Sequence, residues 1–149
     1  MPSGAAFERS RQLVEDFKEL VRPLYTDGFS VKRNADPSVV MNRLLGDNFQ
    51  SVGSLDTKGK DELIGQIQFF WRLVPDLKWE VQDMRQDGNM VIVRSIASGS
   101  PKGEFMGMTL DGSKSFKIMT IDIHSIENGK ITQVYHLEDW ATAIQQLKG

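Results

Sequence analysis

Residues 116–138 set the tightest limit on what this chain can fold into. Two stretches with strict alternation, Phe116-Lys-Ile-Met-Thr-Ile-Asp-Ile-His124-Ser-Ile-Glu and Lys130-Ile-Thr-Gln-Val-Tyr-His136-Leu-Glu138, flank Asn128-Gly129. A period of two marks strands with unlike faces, and Asn-Gly between them marks a hairpin. Loop length then decides which side chains meet, because a slip of one residue turns every side chain to the other face. A two-residue Asn128-Gly129 turn places His136 opposite Ile121. A three-residue Glu127-Asn128-Gly129 loop with Gly129 left-handed places it opposite Thr120. The longer loop gathers Met119, Ile121 and Ile123 with Ile131, Tyr135 and Leu137 on one apolar face, so it is the expected register. The second face then carries Thr120, Asp122, His124, Thr132, Val134, His136 and Glu138, including both histidines of the chain. Such a face is either the solvent side of a sheet whose other side is core, or the lining of a site.

The remaining periodicities supply what packs against this hairpin. Residues 5–25 read as a helix with a stripe of Leu13, Phe17, Leu20, Val21 and Leu24, ended or bent at Pro23. Asp36 and Pro37 open a short helix through Val39, Val40, Met41, Leu44 and Leu45, stopped at Gly46. Residues 49–52 read as a short strand, and residues 60–73 as a helix burying Leu63, Ile64, Ile67, Phe70 and Trp71 before Pro75-Asp76. From Leu77 the period changes to two, with a turn at Asp87-Gly88-Asn89 between two long strands. Arg94, inside the second, faces water or a carboxylate, since burying it unpaired is costly. The glycines from Gly99 to Gly112 read as turns and bulges, and residues 140–147 as a short terminal helix. Helices first and a meander of long strands after them indicate an α+β fold, with about three helices on one face of a curved antiparallel sheet.

With 149 residues, 40% of them hydrophobic and 26% charged, the chain forms a single domain over residues 1–149 with its own core. A formal charge of −2 without a basic block argues against nucleic acid or an anionic membrane as partner. No apolar run reaches the ~18 residues a membrane helix needs, and no charged-then-apolar leader opens the chain, so a cytoplasmic protein is expected. The absence of cysteine excludes disulfides, thiolate nucleophiles and Cys-based metal sites. There is no Gly loop opening a helix and no Ser-centred nucleophile elbow. Without paired His spacing on a helix, no metal site and no cofactor are expected.

Several segments in order, Trp71-Arg-Leu-Val-Pro-Asp-Leu77, Gly103-Glu-Phe-Met-Gly107, Phe116, Ile126-Glu-Asn-Gly-Lys-Ile131 and Asp139-Trp140 before Ala143-Ile-Gln-Gln-Leu147, give the chain a resemblance from about Asp36 onward. It resembles the SnoaL-like polyketide cyclases, within the superfamily shaped like nuclear transport factor two and ketosteroid isomerase. The resemblance implies a cystatin-like cone, a deep apolar pocket between sheet and helices, and commonly a homodimer. It also implies a carboxylate on the last strand as general acid/base for intramolecular aldol closure. Carried over without gaps, that position falls on His136, and a companion histidine of the cyclase pocket falls on Asp122, so acid and base types are exchanged. A three-residue gap would instead place Asp139 there, at the expense of the match through Trp140 to Leu147.

The expected chemistry is proton transfer on a small, hydrophobic, oxygenated molecule. An imidazole with an ordinary pKa of about 6.5 can remove a proton flanked by carbonyls. His136 is the expected base, with Asp122 or Glu138 fixing its tautomer. Thr120 shares its face, and His124 is expected there or at the rim. Asp139 is either a site residue or the N-cap of the terminal helix. Trp71, Phe105 and Met108 are candidate pocket lining, or ordinary core. The alternative to catalysis is a ligand-binding or dimerisation module on the same fold.

Overall fold

A computed structural model describes residues 16–149, so the earlier part of the helix expected over residues 5–25 lies outside the described residues. Helix α1 (Phe17–Pro23) starts at Asp16, whose carboxylate accepts from the Lys18 amide. The regular α-helix ends at Pro23, as its sequence suggests. The chain continues as a π-helical turn, Leu24–Phe29, closed by the Ser30 amide donating to the Tyr25 carbonyl at 3.2 Å. Pro23 has no N–H for the regular ladder, and the wider turn beyond it keeps Leu24, Tyr25 and Gly28 pointing inward.

Helix α2 (Pro37–Leu44) has Asp36 as N-cap and runs directly into β1 (Leu45–Val52), which is longer than the strand expected over residues 49–52. A short strand β2 (Thr57–Gly59) precedes α3 (Lys60–Leu73), which buries Leu63, Ile64 and Ile67 as its spacing requires. β3 (Lys78–Asp87) and β4 (Met90–Gly99) form the long antiparallel pair, with Arg94 exposed. The glycine-punctuated connection contains a separate small hairpin, β5 (Lys102–Phe105) and β6 (Met108–Asp111). β7 (Phe116–Glu127), β8 (Lys130–Glu138) and α4 (Trp140–Lys148) complete the chain.

The main sheet has the order β2-β1-β8-β7-β4-β3, and all its pairings are antiparallel except β1 with β8. The α+β class with helices against a curved sheet holds, with a sheet that is mixed rather than purely antiparallel. Two buried clusters lie between the layers, one around Tyr25, Met41, Phe49, Val91 and Val93, the other around Val74, Phe105, Phe116 and Leu147. Each large aliphatic or aromatic side chain so buried contributes about 1.5–3 kcal/mol. Among the described residues, no helix is long and apolar enough to cross a membrane.

The final hairpin corrects the expected register. Glu127 pairs with Lys130, so Asn128 (φ 52°) and Gly129 (φ 74°) form a two-residue turn, not a three-residue loop. A bulge follows: Ile126 pairs with Ile131 but Ser125 with Gln133, leaving Thr132 as the extra residue. Beyond it His136 stands opposite Asp122, neither Thr120 nor Ile121. Of the two readings left open for the face that carries the polar residues, the inner one holds. Phe116, Ile118, Thr120, Asp122, His124 and Ile126 point inward, while Met119, Ile121, Tyr135 and Leu137 are 51%, 41%, 51% and 64% exposed. Ile131, paired with Ile126 on the turn side of the bulge, is buried on the inner face.

Two glycines test this packing. A Cβ on Gly99 would clash with the Val74 Cγ1, whereas one on Gly65, on the exposed side of α3, would meet nothing within 4 Å. Gly99→Ala is expected to destabilise the fold by about 1–3 kcal/mol, and Gly65→Ala to stabilise it by roughly 0.5–1 kcal/mol, both read by urea denaturation.

Candidate active site

The inward face of β7 and β8 forms one wall of a cavity of about 190 Å³. Opposite lie Leu63, Ile67 and Phe70 of α3, Phe29 of the π turn, and Trp79 and Trp140. Met106, at the tip of the β5–β6 hairpin, also borders it. The polar groups that reach the cavity are Ser51, Gln66, Asp122, His136 and Glu138. An open groove along Arg22, Ser30 and Trp79 is larger, about 510 Å³, but no cluster of titratable groups with shifted pKa converges on it. Apolar walls around a few convergent polar groups are what ligand sites are made of, although 190 Å³ is below the range usual for drug-sized ligands.

Asp122 and His136 are direct cross-strand partners, and Glu138 follows His136 on the same face, opposite Thr120. The Nδ1 of His136 lies 2.9 and 3.0 Å from the two carboxylate oxygens of Glu138. That bond raises the imidazole pKa above its ordinary value, against the partial desolvation that lowers it, with the charge of Asp122 adding a further push upward. Glu138, and not Asp122, therefore fixes the ring and leaves Nε2 as the free nitrogen. The ring lies over Gly53, where a Cβ would be 3.0 Å from Nε2.

Asp122 is 3% exposed, between Val93 of β4 and His136 of β8. Burial pushes its carboxyl up to about 7; the Tyr25 hydrogen bond and the His136 charge oppose the shift, and the Glu138 charge adds to it. The Tyr25 hydroxyl donates to Asp122 Oδ2 at 2.6 Å and also lies 2.7 Å from His124 Nε2. Tyr25 and His124 are both fully buried. Burial raises the phenol well above its ordinary value and lowers His124 to about 3.

Other expected site residues stand elsewhere. His124 is neither at the cavity nor at a rim but packed behind the wall, edge-on to Tyr25. Thr120 is buried and accepts from the Trp79 indole at 3.0 Å, which fixes that ring in the cavity. Asp139 caps α4, accepting from the Thr142 amide and hydroxyl at 3.2 and 2.6 Å. Trp71 donates to the Gly28 carbonyl at 2.9 Å and holds the π turn. Phe105 is core against Phe70, Phe116 and Trp140, and Met108 packs onto the same cluster, so Met106 is the methionine at the cavity.

Tyr25 is a buried polar group beside the candidate site that the sequence analysis does not single out. The signal was a tyrosine four residues after Val21 on a buried helical stripe, where its hydroxyl must find a partner. Among the described residues no group of three or more His, Asp or Glu side chains is arranged to hold a metal ion.

The profile of the family described as SnoaL-like polyketide cyclase matches residues 19–147. No curated protein matches the chain. Among solved structures, a proposed SnoaL-like polyketide cyclase from Jannaschia sp. CCS1 is 17% identical over 89% of this chain and 91% of its own, with a TM-score of 0.78. IdmH, a proposed polyketide cyclase from Streptomyces antibioticus, is 21% identical over 91% and 100%, with a TM-score of 0.77. A protein with a ketosteroid isomerase-like fold from Catenulispora acidiphila is 13% identical over 87% and 92%, with a TM-score of 0.70. At these identities the likeness is one of fold.

The buried pair generates a stability test. At pH 5 the folded state holds one proton on Asp122 and none on His124, whereas the unfolded chain holds one on the histidine and none on the carboxylate. The two states bind equal numbers, so the pair adds no slope to stability between about pH 4.5 and 6. Asp122→Asn removes the folded-state proton and leaves the unfolded histidine's. Stability of that variant, relative to the original, is expected to rise by about 1.4 kcal/mol per pH unit over this window. Denaturation curves across the window check it; parallel pH profiles of the two proteins contradict it.

Proposed function

The chain belongs to the SnoaL-like polyketide cyclase family, and we propose that within it the protein performs cofactor-independent proton transfer on a small, apolar, oxygenated carbon skeleton, of the kind that closes a ring by intramolecular aldol addition. The observation that carries this reading is the cross-strand pair of Asp122 and His136 in an apolar cavity, with Glu138 bonded to the Nδ1 of the imidazole.

His136 in its neutral form takes a proton from the carbon between two carbonyls. Asp122, raised by burial to about 7, donates in its protonated form to the oxygen on which charge develops. Asp122, raised to about 7, and His136, raised above its ordinary value, face each other, so they share protons as a pair. Aromatic walls at Phe29, Phe70, Trp79 and Trp140 exclude water and hold the carbon skeleton. A cavity of about 190 Å³ favours a compact substrate. The same volume, together with a histidine where the family resemblance places a carboxylate, supports the second reading of a non-catalytic ligand-binding module.

A homodimer belongs to the proposal. The exposed Met119, Ile121, Tyr135 and Leu137 line one side of the sheet. An outer depression of about 350 Å³ beside Val52, Ile121, Tyr135 and Leu137 also borders His136. Covering this apolar surface with a second copy removes it from water.

Two outcomes are expected. With β-dicarbonyl compounds as substrates, His136→Ala loses about 10²–10⁴-fold in rate. Glu138→Gln, which removes the charge stabilising the imidazolium, moves the acidic limb of the pH–rate profile to lower pH. If no compound is turned over and none perturbs the His136 NMR titration, the catalytic reading falls and the binding module stands. Leu137→Glu is expected to convert a dimer to a monomer in light scattering; a monomeric original protein removes the dimer from the proposal.

A further inference from the structure

Tyr25 and His124 lie behind the cavity wall, fully buried, and the chemistry above does not use them. The Tyr25 hydroxyl has one proton and two neighbours, Asp122 Oδ2 at 2.6 Å and His124 Nε2 at 2.7 Å. If that proton goes to Asp122, His124 must carry its own on Nε2 and donate to the phenol oxygen. If it goes to His124, Asp122 must either carry a proton on Oδ2 and donate it to the phenol or, once ionised, face a phenol lone pair at hydrogen-bond distance. In that second arrangement the imidazole proton sits on Nδ1, which has no hydrogen-bond partner among the described residues. A buried N–H left without an acceptor and an unbonded carboxylate oxygen are both costly.

We infer that Tyr25 and His124 are positioning residues for Asp122: a donor chain from His124 Nε2 through the Tyr25 hydroxyl holds Oδ2 from behind, leaving Oδ1 to exchange a proton with a ligand in the cavity. The inference deepens the acid role proposed for Asp122 and rests on it. The other groups facing this carboxyl are His136 and Glu138 from β8, and Val93 from β4 is apolar. The chain therefore supplies the hydrogen bonding to Asp122 that its own neighbours on the sheet do not.

The test is a titration of the ligand-free protein by NMR, with labelled aspartate carboxyl and histidine nitrogen atoms. Above the midpoint of Asp122, His124 is expected as the Nε2–H tautomer. Tyr25→Phe is expected to move the Asp122 midpoint up by about one unit or more, since a hydrogen bond to the charged form is lost. His124→Gln, whose amide can still donate to the phenol, is expected to keep the midpoint closer to the original than His124→Leu does. These last two variants, with the tautomer of the original protein, decide the matter should the phenylalanine variant not fold. A Nδ1–H tautomer, or a midpoint that Tyr25→Phe or His124→Leu leaves unmoved, overturns the inference. A purely structural role lowers stability without moving the midpoint. Absence of turnover with every compound would defeat the catalytic reading while leaving these titrations as they are.

Discussion

The interior of this protein depends on one extra residue in β8. The Asn128-Gly129 turn alone would place the polar positions of β7 and β8 on opposite faces of the sheet. The bulge at Thr132 shifts the pairing by one, so Asp122 meets His136 and Thr120 meets Glu138. Without it Tyr135 and Leu137 would turn into the cavity, and His136 and Glu138 would turn out. On the turn side of the bulge Ile131 pairs with the inward Ile126 and stays in the core. Register, cavity chemistry and outer surface are thus fixed by a single irregularity.

Placing carboxyl, imidazole and phenol groups inside a cone is unfavourable unless each finds a state it can hold without water. Asp122 is raised to about 7, His124 stays neutral, and Tyr25 links them. Fully buried Val91 and Val93 on β4 pack beside this group, and Thr120 satisfies the Trp79 indole above it. The apolar clusters on either side supply the stabilisation that offsets this polar layer. The π turn after Pro23 takes part as well, because it aims Tyr25 at β7 and is tied down by Trp71 and by the Ser30 hydroxyl, which accepts from the Trp79 amide.

The architecture was largely legible in the sequence. The stripe of Leu63, Ile64 and Ile67 gave α3 its limits, Asp36-Pro37 opened α2, and the alternation from Leu77 onward gave the long strands. The grouping of Asp122, His136 and Glu138 on one face was also legible, since the expected loop and the observed turn with its bulge have the same parity. The partner residues were not legible, because no residue type marks the bulge at Thr132. Nor was the direction of the faces. Patterning places apolar residues inside, and here Met119, Ile121, Tyr135 and Leu137 are outside while Thr120, Asp122 and His124 are within. The small β5–β6 hairpin was hidden among glycines that also fit an irregular loop.

That inversion follows from curvature. A sheet bent around helices has a concave side that need not be filled completely, and polar residues there meet one another and a cavity, not bulk water. Its convex side is broad, and apolar side chains on it remain exposed until something covers them. The cavity repeats the asymmetry on a smaller scale. Its titratable groups all come from β7 and β8, while Leu63, Ile67 and Phe70 face them from α3. A molecule held between these walls would set its oxygen atoms against the sheet and its carbon skeleton against the helix. Orientation then comes from the fold itself, before any single hydrogen bond is made.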